Sequence, residues 1–166
     1  NADGSVSAAC GNATRCIGRY LMDELEKSSL HLTTDRGALR AKKSADGFVS
    51  INMGQPLLAW QDIPLSEAME TLVLPMKGDP SATGMGNPHC TFFVEDIATI
   101  NLEADAAPIE HHPLFPKRTN VQFAQVIGKD HIRMRLGTRR RGNACLWLFV
   151  LRHTRGGWGA RRRARG

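Results

Sequence analysis

The spacing of apolar residues along this chain switches from a helical to an alternating period after about residue 27. Small and turn-forming residues run from Asn1 to Ala9, and the amphipathic segment CIGRYLMDELEK begins at Cys16, which together predict a helix over about residues 11–27. Past it, LHLTT, GALRAKK and GFVSINMG read as short strands separated by Asp-Arg-Gly and Ala-Asp-Gly turns, a small antiparallel set. Strands are expected again near TLVLP, TFFV and VQFAQVI, the last joined to HIRMR by the turn GKD. Proline-rich connections, PLLAWQDIPLSE and EHHPLFPKRTN, lie between them, and the change between Gly54 and Trp60 marks a domain boundary. This mixture belongs to the α+β class.

The predicted helix places Gly11 and Asn12 at its start and Cys10 at its mouth. Backbone N–H groups at such a position lack partners within the helix, and with the positive end of the helix dipole they favour the thiolate, the form able to remove a proton or attack carbon. The alternative for an isolated cysteine is a small buried hydrophobe without chemistry. A second cluster, GMGNPHC at residues 84–90, sets Asn87, Pro88, His89 and Cys90 ahead of an apolar run. Amide and imidazole groups on a loop before a strand suit ligand binding.

NADGS followed by ACGN, then GNPH, then RTNVQF resembles diaminopimelate epimerase, in that order and over about residues 1–135. Proline racemases and phenazine-type isomerases are similar in fold and carry related cysteine motifs, but the asparagine after Cys-Gly and the GNPH loop point to the diaminopimelate enzyme. The chain opens on Asn1 inside the first of these motifs, so a fragment that lacks the start of its first domain is expected.

Length and charge refine this. At 166 residues with 42% hydrophobic content the chain can build a genuine core, and it holds neither an 18-residue apolar stretch nor a basic-then-apolar N-terminus. A cytoplasmic protein is expected. The four cysteines show no CxxC pair or metal-ligand spacing, so neither a disulfide framework nor a metal site is expected. Cys16 falls on a different helix face from Cys10 and is expected in the core, Cys90 is expected to be buried, and His111 and His112 to be exposed. The net charge of +6 comes wholly from the tail: residues 131–166 hold eleven arginines and no acidic residue, whereas residues 1–130 hold 11 Lys and Arg against 16 Asp and Glu.

After Arg135 the family pattern calls for Trp-Glu-Arg-Gly and then a second Cys-Gly-Ser or Cys-Gly-Thr motif, but the chain reads LGTRRRGNACLWLFVLRHTRGGWGARRRARG. Leu136-Gly137-Thr138-Arg139 can be encoded so that reading one nucleotide later gives Trp-Glu-Arg, and Leu146-Trp147-Leu148 so that it gives Cys-Gly-Ser. Residues from about 136 onward are therefore expected to be an out-of-frame translation, and Cys145 is not the second catalytic cysteine. The competing reading is a basic arm that binds nucleic acid, which the apolar run CLWLFVL between the arginines disfavours.

The resemblance implies two similar domains, each with a mixed β-sheet around a central helix and the active site between them. The parts are residues 1–54 (the end of the first epimerase domain), 55–135 (a partial second domain) and 136–166 (the basic tail). It implies a cofactor-independent epimerase that interconverts LL- and meso-diaminopimelate with one cysteine as base and one as acid, in lysine and peptidoglycan precursor synthesis. This copy is expected to be impaired, with a related amino-acid racemase as the alternative. The family is homodimeric, and its partner is a small-molecule substrate, with no role for nucleic acid, membrane, metal or other cofactor. Cys10 matches one of the acid/base pair, while Asn1, Gly11, Asn12, Asn87 and Asn120 match positions that bind the substrate's amino and carboxylate groups. His89 matches a histidine that tunes the cysteines. Read without the family, Asn1 and Asn12 are turn and cap residues, Asn87 shapes a Gly-Asn-Pro turn and Asn120 caps a strand.

Overall fold

The computed structural model describes residues 10–35, 37–129 and 131–137. Helix α1 (Gly11–Glu24) is followed by strands β1 (Ser29–Thr34), β2 (Gly37–Lys43) and β3 (Val49–Asn52), which form an antiparallel sheet in chain order. Thr14, Gly18 and Met22, spaced by four, are the buried face of α1, which packs on this sheet over Leu39 and Ala41 of β2. The helix ends three residues before the expected limit of 27. Glu26 adopts a left-handed φ of 51°, and the Lys27 N–H donates to Met22 O at 2.9 Å, closing the helix as a glycine usually would. With a glutamate in that place, the stop has no composition signal.

The second sheet has the order β4 (Ser81–Gly84), β5 (Pro88–Phe93), β6 (Asn120–Gly128), β7 (His131–Gly137). Neighbours are antiparallel except β5 and β6, which run parallel. A parallel pair needs a crossover, and the chain makes it through a 3-10 turn (Ile97–Thr99) and helix α2 (Leu102–Glu110), which packs on β6 and β7. Asn101 caps α2 by accepting from the Ala104 N–H at 3.2 Å, and Glu103 and Asp105 add negative charge to its first turn. Arg135 of β7 ties the crossover down, its Nη1 donating to Ile97 O at 3.2 Å and to Ile100 O at 2.8 Å. The core of this half gathers Ile63, Leu65, Leu74, Ala82, Cys90, Phe92, Ile97, Ala106, Phe115, Val121 and Phe123, with the Phe92 and Phe123 rings stacked at 5.3 Å.

The expected strand at TLVLP is not formed. Thr71 and Leu74 are buried while Leu72 and Val73 are exposed, and the segment holds its place by single bonds: Ala82 N–H to Thr71 O at 2.6 Å and Leu74 N–H to Pro80 O at 2.8 Å. Pro75 has no N–H to extend a ladder, and the chain turns back through Gly78 and Asp79. Helix α2, which holds Pro108, falls where the sequence reading assigns no element. β7 runs on through Leu136 and Gly137, and the rest of the 136–166 tail, Cys145 included, lies outside the described residues. Among the described residues no helix is long and apolar enough to cross a membrane.

Candidate active site

Cys10 is the N-cap of α1, in extended conformation at φ −135° and ψ 101°. Its carbonyl accepts from both the backbone N–H and the hydroxyl of Thr14 at 2.9 Å. Among the described residues no side chain caps this end and no acidic residue sits in the first turn, so the N–H groups of Gly11, Asn12 and Ala13 are not used by the helix itself. The Cys10 thiol is exposed. Gly11 follows it, and a Cβ built there would meet nothing within 4 Å among the described residues. Asn12 lies inside the first turn rather than at the cap, with its Oδ1 accepting from Arg15 Nη2 at 3.1 Å. Asn1 lies outside the described residues.

Cys16 is exposed, against the expectation of a core residue. It stands two residues from Thr14 and from Gly18, roughly 200° around the helix from the buried stripe. Cys90 is fully buried as expected, and burial pushes its thiol up to about 12, away from any acid/base use near neutrality. His111 is exposed and His112 half-buried, its Nδ1 accepting from the Leu114 N–H at 3.3 Å.

The second group of site residues is built by strand alternation. Along β5, Cys90 and Phe92 point into the core, and along β6 so do Val121 and Phe123; the residues between them, His89 and Thr91, Asn120 and Gln122, are half-buried on the other face. The parallel register sets His89 beside Asn120 and Thr91 beside Gln122, so the four polar side chains share one patch. Gly86, at φ 95°, makes the tight connection from β4 that turns Asn87 toward them, a backbone position that favours glycine.

Within the patch, His89 Nε2 lies 2.9 Å from Asn87 Oδ1 and His89 Nδ1 lies 2.6 Å from Gln122 Nε2. The Thr91 hydroxyl donates to Gln122 Oε1 at 3.0 Å, and Asn120 Nδ2 donates to the Pro88 carbonyl at 3.1 Å. The Asn87 side chain is therefore held by an imidazole while its carbonyl accepts from the Met85 N–H at 3.1 Å in its own turn, and Asn120 pins the loop by its side chain. Gln122 and Thr91 were not among the expected site residues. Alternation was the signal that could have found them, because each stands two residues past an expected one.

Asn87, His89 and Asn120 thus come together, whereas Cys10, Gly11 and Asn12 belong to the other sheet's helix, and among the described residues α1 makes no contact with β5 or β6. No cluster of metal-ligating side chains occurs among the described residues. A surface hollow of about 560 Å³ beside Met22, Asp23, Lys43 and Ser44 lies at the other end of α1 from Cys10 and contains none of these residues.

The family model for diaminopimelate epimerase matches residues 81–145, which takes in the Asn87 loop, both site strands and ten residues beyond Arg135. The chain is 44% identical over 146 residues to the diaminopimelate epimerase of Rhodospirillum centenum, a match that covers 86% of this chain and 50% of that protein. It is 43% identical to the enzyme of Acidiphilium cryptum and 42% to that of Zymomonas mobilis, again over 86% of this chain and 53% and 52% of theirs. The chain is similar to diaminopimelate epimerases over most of its own length. It spans about half the length of the curated relatives it matches. Its mixed α+β architecture, two sheets with few helices, is consistent with a part of the diaminopimelate epimerase fold.

Proposed function

We propose that this chain is part of a cofactor-independent amino-acid epimerase that interconverts LL- and meso-diaminopimelate, in the cytoplasm, for lysine and peptidoglycan precursor synthesis. The observation that carries this reading is an exposed cysteine at the N-cap of α1, with Gly11 and Asn12 behind it, on a chain 44% identical to a diaminopimelate epimerase. Inverting a carbon next to a carboxylate needs a base on one face and an acid on the other, because the proton leaves one side and returns from the opposite one. A cysteine pair meets this need: one thiolate takes the α-proton, the opposing thiol supplies its own, and the roles exchange with the direction of reaction. Cys10 is one member of that pair.

The carbanion formed in between is stabilised by donors around the carboxylate, for which the N–H groups at the start of α1 and the amides of Asn1, Asn12, Asn87 and Asn120 are suited. Asn120 commits one N–H to Pro88 O and keeps its other N–H and its Oδ1 for a ligand. His89 tunes the site from beside Asn87. Residues 1–54 and 55–135 are portions of two like domains, and the whole enzyme is a homodimer that needs no nucleic acid.

The second cysteine of the pair lies in the other reading frame of the segment after Arg135, so this copy is impaired in stereoinversion. Deuterium incorporation at the α-carbon of diaminopimelate in D₂O tests the reading. The 166-residue chain is expected to give no inversion, and a chain with its frame restored and extended to the full length of its relatives to give inversion that is lost in Cys10→Ala. Inversion by the 166-residue chain, or an unaffected Cys10→Ala variant of the restored chain, is the contrary result.

A further inference from the structure

The geometry points to Gln122, with Thr91 behind it, as a positioning residue that sets the tautomer of His89 and through it the orientation of the Asn87 amide. The inference rests on the reading of Asn87 as a ligand-binding group.

The Thr91 hydroxyl donates to Gln122 Oε1 at 3.0 Å, so the amide oxygen faces Thr91 and the amide nitrogen faces the imidazole. Gln122 Nε2 stands 2.6 Å from His89 Nδ1. An amide NH₂ can only donate, so Nδ1 is the ring nitrogen that accepts, and in the neutral imidazole the proton resides on Nε2. Nε2–H then donates to Asn87 Oδ1, 2.9 Å away. With its oxygen occupied, Asn87 offers its two N–H groups to a ligand, the right polarity for a carboxylate, which only accepts.

The opposite tautomer would reverse this. A bare Nε2 would draw the Asn87 NH₂ to the ring and leave Oδ1 for the ligand, where a carboxylate is repelled. Donation therefore runs one way, from Thr91 to Gln122 to His89 to Asn87, and side chains on the middle strands of the sheet select the sign of the group presented at the loop. Thr91, Gln122 and His89 are held by alternation and register, and Asn87 meets the ring from the loop before β5, which makes the direction of donation up to the imidazole a property of the β5–β6 pair.

The test uses the whole chain labelled with ¹⁵N-histidine, with two-bond ¹H–¹⁵N spectra that report which nitrogen of His89 carries the proton, assigned by loss of the signal in His89→Gln. The native ring is expected as Nε2–H alone. Gln122→Glu, which has the same shape but only accepts at that position, is expected to move the proton to Nδ1. Thr91→Val, which frees the Gln122 amide to turn over, is expected to give both tautomers and decides the matter if Gln122→Glu does not fold. A native ring protonated at Nδ1, or a ring unmoved by these variants, overturns the inference.

Titration of the same samples with meso-diaminopimelate separates this from the reading beneath it. Binding by the native chain, weakened about fivefold or more in the uncharged Gln122→Met, supports the positioning role. Equal binding by the two overturns it. Absence of binding by the native chain refutes the ligand-binding reading of Asn87, while the tautomer spectra still decide what Gln122 does to His89.

Discussion

Gly18 of α1 lies so close to Ala41 of β2 that a Cβ built on Gly18 would stand 3.1 Å from the Cβ of Ala41, with Ile51 and Leu32 next nearest. The contact is what lets α1 settle on its sheet and thereby carry Cys10. Gly18→Leu is expected to lower the urea midpoint, because overpacking costs about 1–3 kcal/mol and exceeds the roughly 1 kcal/mol gained by removing a helical glycine. An unchanged midpoint would show that the helix is not seated by this contact.

The cysteines differ in reach. Cys10 and Cys16 are exposed and Cys90 is fully buried, so alkylation at pH 8 followed by peptide mapping should label the first two rapidly and Cys90 only after denaturant is added. Rapid native labelling of Cys90 would contradict the buried position.

Burial also gives Cys90 a signature in alkali. Its thiol is pushed from 9.0 up to about 12 in the fold. Below pH 9 folded and unfolded chains both keep the proton; between about 9 and 12 only the unfolded chain loses it, so stability falls with rising pH by at most roughly 1.4 kcal/mol per unit from this group. Unfolding curves across that range should fall less steeply for Cys90→Ala than for the native chain. Parallel curves would remove the linkage.

Asp23 near the end of α1 accepts from Lys43 of β2 at 2.5 Å, and that hydrogen bond, with the Lys43 and Arg19 charges, holds its carboxyl below the usual 3.8. A lowered carboxylate stabilises the fold above the ordinary value and loses that contribution as the pH falls through its folded value. Carboxyl ¹³C titration should find the Asp23 midpoint below 3.8 in the native chain and moved up toward it in Lys43→Met. The Asp23 side chain is 47% exposed and that of Lys43 35%, so solvent screens the pair and the effect on overall stability should be slight.

The Phe92–Phe123 stack closes the core face of the site strands. Phe123→Ala should cost about 3–5 kcal/mol, whereas Val126→Ala, three residues along the same strand but 60% exposed, should stay within about 0.5 kcal/mol. Equal urea midpoints for the two variants would contradict the placement of the core.

Much of the fold was legible from period alone. The three strands after α1 and the strands β6 and β7 stand near their expected places, because alternation and turn chemistry are local signals. Failures came where tertiary contacts overrode local ones. TLVLP has the composition of a strand but no neighbour to complete a ladder, and α2 forms around Pro108 because Asn101 caps it and Ala106 packs into the core. At the site, Cys10 at a helix start and the Asn87–His89 loop could be read directly. The resemblance put Asn120 in one site with His89 and alternation carries Gln122 with it, but the pairing that sets them side by side could not be read, since a parallel pairing across about thirty residues leaves no local mark in either segment.

Because β5 and β6 seal the core with one face and carry the polar patch on the other, register is a shared vulnerability of stability and chemistry. A single-residue insertion or deletion within residues 88–93 or 120–124 would turn Cys90, Phe92, Val121 or Phe123 outward and drive a histidine or an amide into the core in the same step. Length changes in these two strands should therefore be tolerated only in pairs of residues.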